Sequence, residues 1–385
     1  MSSLAAALPP DLEAVCRLAG AVPGSSPYVD ALSAAALKRA LETAHAHNIL
    51  GVVLPAIRSA DRELLARLRE RLGRTESLLA AQALLRESEL QAVLQVLDAA
   101  DVEAAVLKGA FLASCVYGDF AARPMNDFDL LVRHEDLEGA AAALHRAGYR
   151  CKEGGPGQVP PGGSLEFRSP AGQAIELRYD LTQGTRLRGV VHFPEAEMWQ
   201  RRRTFHTLAG GTLCSLDPTD HLLYLVYHAG ILHLFAALVW LVDADRFIRK
   251  FQGEVEWEDL PARARKIGCA TCLWHGLALS KHLLGTPVED GALRALEPGA
   301  LRAGLVRRWL APRRVLRGLT PPKQPRMQAL QMLLLDTTGA VLRSLWQGLF
   351  PPRQWLQWRY RTSNPVTLRL LRTLYPFGGW SRPPM

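Results

Sequence analysis

Asp127 and Asp129 stand at the head of an apolar run, flanking Phe128 and followed by Leu130, Leu131 and Val132. The run reads as a strand, and residues two apart on a strand share a face. Two carboxylates side by side repel, and burying them unpaired costs on the order of several kcal/mol. Something positive must be shared between them, and a divalent metal is the leading candidate. The plain alternative is a pair of solvated residues at a strand end.

The neighbouring sequence sharpens the choice. A short apolar strand over 102–107 is followed by Lys108-Gly109, then a helix through 110–118 and a loop containing Arg123. A glycine directly after a strand lets backbone N–H groups approach a ligand, and a helix start favours an anion. Downstream, a helix runs from about His134 to Gly148, and "SLEFRSPAGQAIELRYDL" reads as a hairpin around Pro170-Ala171-Gly172. On its second arm Ile175, Leu177 and Tyr179 share one face, and Glu176, Arg178 and Asp180 share the other. Two aspartates on one strand can hold Mg²⁺, which takes oxygen ligands from one or two carboxylates plus substrate phosphates. A third carboxylate from a neighbouring strand usually completes such a site; Glu176 is the first choice and Asp180 the second. This is the architecture of nucleotidyl transfer, in which an acceptor oxygen attacks the α-phosphorus of a nucleoside triphosphate in line.

On Lys108-Gly109, Arg123 and Asp127-Phe128-Asp129-Leu130-Leu131-Val132, the chain resembles the uncharacterised nucleotidyltransferase family of the DNA polymerase β-like superfamily. The likeness extends to "YHAGILHLFAALVWLVDADRF", where His228, Trp240 and Asp243 match family positions of no known role, and to "LFPPRQWLQWRY". It covers roughly residues 85 to 365. The resemblance implies an α+β fold: a polymerase β-like mixed sheet with helices, flanked by N- and C-terminal helical regions. It implies Asp127, Asp129 and Glu176 as catalytic and metal-binding residues, Glu176 as third ligand or general base. Lys108, Gly109 and Arg123 would contact the nucleotide or anchor its loop. Mg²⁺ is the implied cofactor, a nucleoside triphosphate (ATP first) the co-substrate, and a peptide or small-molecule hydroxyl or carboxylate the acceptor, as in bacterial modified-peptide natural-product biosynthesis. Three features depart from the pattern. Gly109-Ala110 stands where the superfamily has Gly-Gly or Gly-Ser, seventeen residues separate Gly109 from Asp127, and Glu176-Leu177-Arg178 replaces an acid-Leu-His pattern. They leave room for a non-catalytic nucleotide- or peptide-binding scaffold, or for a phosphotransferase using the same metal site.

The 385 residues exceed one simple core and divide by texture. Residues 1–98 read as helical, with starts at Pro9-Pro10-Asp11 and Ser26-Pro27 and a cap at Thr75 for a separate later helix. Residues 99–215 form the nucleotidyltransferase domain. Residues 216–385 are helical again, with a basic tail after Pro321-Pro322. The uncharged segment 222–242 contains histidines and tyrosines and reads as two buried helices broken near Gly230, not as a membrane span. The formal charge is +9, and Leu301 to Met385 alone carries fifteen Arg or Lys against one acid, Asp336. Such a tail suits a polyanion, an acidic peptide, an anionic membrane surface or nucleotide phosphates, or is a solvated arginine-rich face. No RNA-binding module is visible. Six scattered cysteines without an export signal suit a reduced cytoplasm, and the lone Cys269-x-x-Cys272 has no second ligand pair for zinc.

Overall fold

A computed structural model describes residues 8–20, 33–58, 62–152, 163–182, 186–316 and 324–376. The helix start expected at Ser26-Pro27 and the Pro321-Pro322 break lie outside them. Four helices come first: α1 (Pro10–Gly20), α2 (Ala34–Ala46), α3 (Leu50–Arg58) and α4 (Arg62–Asp98). The Ser33 hydroxyl caps α2 by accepting from Ala36 N. The separate helix expected to start at Thr75 does not exist, because α4 runs unbroken across Gly73 and Thr75. A single glycine inside a helix costs only about 1 kcal/mol, too little to end a long amphipathic run.

The sheet follows, with β1 (Ala105–Leu107), β2 (Asp127–Leu131), β3 (Arg150–Cys151), β4 (Ser164–Arg168) and β5 (Ala174–Arg178). Their order is β1-β2-β5-β4-β3. β2 and β5 are parallel; the other pairs are antiparallel. The register sets Asp129 opposite both Leu107 and Glu176, and Glu176 opposite Glu166. Paired residues point to the same side, so one face gathers Asp127, Asp129, Glu176 and Arg178. The other face carries Val106, Phe128, Leu130, Leu165, Phe167, Ile175 and Leu177, all buried. This alternation is what a sheet with one apolar and one polar side requires. The parallel β2–β5 pairing is bridged by α6 (Leu137–Arg146) and the β3–β4 hairpin.

After α7 (Glu195–Arg201) and the ribbon β6 (Arg203–His206) and β7 (Thr212–Ser215), helices return. Asp217 caps α8 (Pro218–Tyr227), which continues into a π-helical turn over His228–Leu232; α9 (Leu238–Lys250) follows. The expected two buried helices are present, with the break just beyond Gly230. Then come α10 (Leu260–Ile267), α11 (Ala270–Leu284), α12 (Asp290–Leu296), α13 (Ala300–Trp309), α14 (Pro312–Val315), α15 (Gln324–Leu333), α16 (Thr338–Leu349), α17 (Arg353–Tyr360) and α18 (Pro365–Leu374). One continuous apolar cluster runs from Leu12 to Leu335 and includes the sheet's apolar face. No helix among the described residues is long and apolar enough to cross a membrane.

Candidate functional site

β1 ends in a tight turn. Lys108, not Gly109, takes the left-handed backbone there, with φ +46°. A lysine pays steric strain in that region, and such strain concentrates at functional sites. Gly109 serves close packing instead: a Cβ on it would meet the Met125 side chain at 3.3 Å. α5 (Lys108–Phe111) then loosens into a second π-helical turn, Leu112–Tyr117. Both π turns among the described residues lie beside the Lys108 corner, and π turns recur at functional sites.

The strained turn aims Lys108 at the aspartates. Its Nζ lies 2.6 Å from Oδ1 of Asp129, and Nε of Arg178 donates to the same oxygen at 2.9 Å. All three side chains are buried. Burial alone would raise the Asp129 carboxyl, but Lys108 and Arg178 hold it below its ordinary value. Burial would likewise lower Lys108, and the charge of Asp129 outweighs it, so the ammonium persists. Arg178 also pairs through its guanidinium with Oε2 of Glu176, whose Oε1 accepts from the Ser164 hydroxyl at 2.7 Å. Asp127 stands exposed at the start of the strand. Desolvation, then repulsion from Asp129, pushes it up to about 6.

The loop before β2 is fixed from outside the sheet. The Arg123 guanidinium forks onto Asp243 of α9, with three contacts of 2.7, 3.0 and 2.7 Å, and Tyr117 donates to the same carboxylate at 2.9 Å. The Arg123 guanidinium is thereby held on Asp243, which ties its loop to α9. α3 closes on this loop as well: a Cβ on Gly51 would stand 2.4 Å from the Ala121 carbonyl oxygen.

A wall of rings faces the acidic strand. The Tyr224 ring lies 5.8 Å from Lys108 Nζ. His228 and His233 stand 4.6 Å apart, and His233 stacks on Trp240 at 4.2 Å and 18°. Both histidines are half-buried. Burial first, then the charge of Lys108, holds His228 well below its ordinary range and His233 at about 4. Both are therefore neutral imidazoles beside a cationic corner. The sequence marked His228 and Trp240 without a role and left His233 out. The signal available was a pair of histidines five residues apart in an uncharged helical segment, bracketing Gly230.

The donors on β2 suit a hard cation. Asp127 and Asp129 offer oxygen on one face, and Mg²⁺ often makes do with one or two carboxylates, completing its shell from phosphates and water. Glu176, expected as third ligand or general base, accepts from Ser164 and pairs with Arg178, and among the described residues no three acidic, histidine or cysteine side chains are grouped to hold an ion. Asp180 lies elsewhere, paired with Arg188 at 2.8 Å on the rim of a cavity of about 750 Å³ beyond the far ends of β2 and β5. That cavity, lined by Arg133, His134, Trp199 and Arg202 among others, does not include the aspartate pair. Cys269 and Cys272 are buried free thiols whose pKa values burial pushes up.

A family model described as an uncharacterised nucleotidyltransferase matches residues 33–285. The match takes in α2 to α11, beginning upstream of the likeness read from the sequence and ending before the segment around Trp346 to Tyr360. Neither the curated proteins nor the solved structures give a match. The matched span covers most of the chain, including the Lys108 corner, the aspartate strand and the histidine wall, and the chain belongs to this nucleotidyltransferase family.

Proposed function

We propose that the protein transfers a nucleoside monophosphate from a nucleoside triphosphate, ATP being the first choice, to a hydroxyl or carboxylate of a peptide or small-molecule acceptor. The observation that carries this reading is the aspartate pair on one face of β2, set against the buried cations Lys108 and Arg178. The acceptor oxygen forms a bond to the α-phosphorus, the bond from that phosphorus to the bridging oxygen breaks, and pyrophosphate leaves. A hydroxyl acceptor gives its proton to Glu176, the neighbouring carboxylate; a carboxylate acceptor needs no base. Asp127 and Asp129 would hold Mg²⁺, which neutralises phosphate charge and favours pyrophosphate departure. Lys108 places a fixed positive charge where the triphosphate accumulates negative charge. Peptides of the modified natural-product type are the first acceptors to try.

The test is incubation of the protein with α-labelled triphosphates, Mg²⁺ and candidate acceptors, read by mass spectrometry. A product heavier by one nucleoside monophosphate, lost in Asp127→Asn and Asp129→Asn, supports the reading. Undiminished product in those variants would overturn it, and an added phosphate alone would assign phosphoryl transfer instead.

One observation favours a second reading. Asp129 already has two buried cationic partners, so its own charge is compensated without a metal. A scaffold that binds nucleotide or peptide without turnover would show this. Nucleotide binding that is tight and indifferent to Mg²⁺, with no product, would select it.

A further inference from the structure

α16 is built with its apolar side outward. Leu342, Leu345, Trp346 and Leu349 recur at helical spacing on one face, and all are exposed, Leu342 at 62% and Trp346 at 56%. The opposite side holds the helix to the body. Ser344 is buried, Arg343 donates to the Gly189 carbonyl at 2.6 Å, and Gln347 donates to the Arg188 carbonyl at 2.8 Å. These anchors, with Ala340 and Val341 packed against the core, set the orientation, and the apolar stripe is left to solvent. α18 repeats the pattern: Val366, Leu370 and Leu374 lie one turn apart and exposed, with Leu368 buried behind them. α18 packs against α17, and just beyond its end Tyr375 meets Trp355 edge-on at 5.7 Å. α13 shows a third stripe, Leu301, Leu305 and Trp309. Monomeric soluble proteins rarely leave such stripes uncovered.

The charge around the stripes has one sign. Arg313, Arg353, Arg361, Arg369 and Arg372 are exposed. After Glu297 the sequence holds a single acid, Asp336. Its carboxylate is spent at the start of α11, accepting from Ala270 N at 2.9 Å and Thr271 N at 2.7 Å. No counter-charge is left among the described residues of this region to neutralise the arginines. A second copy of the same surface would bring like charges together. A flat apolar phase under an anionic layer satisfies both features at once, accepting shallow stripes from several helices while its headgroups pair the arginines.

We propose that the C-terminal helices α16 and α18 dock the protein on an anionic lipid surface, with their leucines and Trp346 in the interface. Flotation of the full chain with vesicles tests this. Binding to phosphatidylcholine vesicles containing about a quarter phosphatidylglycerol should exceed binding to pure phosphatidylcholine by roughly tenfold or more, and should weaken as salt rises. The double variant Leu342→Ser/Trp346→Ser should lose about tenfold in partitioning, and Arg369→Ser/Arg372→Ser should flatten the salt dependence. All four positions are exposed, and an unchanged thermal transition checks folding. Equal binding by wild type and the double variant, no preference for the anionic vesicles, or a stable dimer or acidic-protein complex that buries the α16 stripe would each overturn the proposal. Nucleotidyl transfer in solution is read separately, so failure here leaves that activity standing.

Discussion

Nε of Arg178 donates to Oδ1 of Asp129 at 2.9 Å, between two neighbouring parallel strands. The same guanidinium reaches Glu176, so one arginine screens two carboxylates placed opposite each other in register. Removing it leaves a buried carboxylate with Lys108 alone. Arg178→Met should lose about 3 kcal/mol of stability, as expected for breaking a buried charge network. Added Mg²⁺ should recover more of the thermal transition in the variant than in the wild type, because the vacated space and charge suit a cation. Equal Mg²⁺ effects in a melting series on both proteins would contradict this.

The Arg123–Asp243 fork ties the loop before β2 to α9, and both side chains are buried. Asp243→Asn and Arg123→Met should each destabilise by about 3 kcal/mol, while the double variant loses much less than the sum. Denaturant unfolding of the four proteins measures the coupling; additive losses would mean the fork does little. Because the loop leads directly into Asp127, each single variant should also lower nucleotidyl transfer.

His228 is neutral because it is largely desolvated and faces Lys108, Arg178 and Arg123. A triphosphate bound beside it reverses the sign of the nearby charge. Its proton affinity should then rise, by roughly one unit or more. Proton–nitrogen NMR of the imidazole across a pH series, with and without a non-hydrolysable triphosphate, reads this directly. An unmoved titration would place the nucleotide away from the histidine wall.

His47, at the end of α2, accepts a hydrogen bond from Leu238 N at 3.1 Å, and burial lowers it to about 4. The unfolded chain protonates this imidazole near 6.5, and the folded one refuses the proton until about 4. Stability is thus full above about 6.5 and falls as pH drops through that window, by up to about 3 kcal/mol from this residue. His221 and His275 act in the same direction. His47→Asn keeps an acceptor for Leu238 N and should flatten the fall between pH 6.5 and 4 in thermal melts.

The sequence by itself determined the local pieces. Period-two apolar spacing makes β2 and β5 strands and puts Asp127 with Asp129, and Glu176 with Arg178, on common faces; three- and four-residue spacing makes the helices. These follow from backbone geometry, which acts over a few residues. Which groups meet was decided only by the tertiary structure. Arg178, which looked like a departure that weakened the site, is the direct partner of Asp129 across 49 positions, because the strands pair in parallel at that register. Arg123 finds Asp243 across 120 positions, and the π turn at His228 brings a second histidine against the Lys108 corner. Partnerships of this kind depend on strand order and helix docking. Those are set by burying the whole apolar cluster at once, and no short window of sequence carries that information.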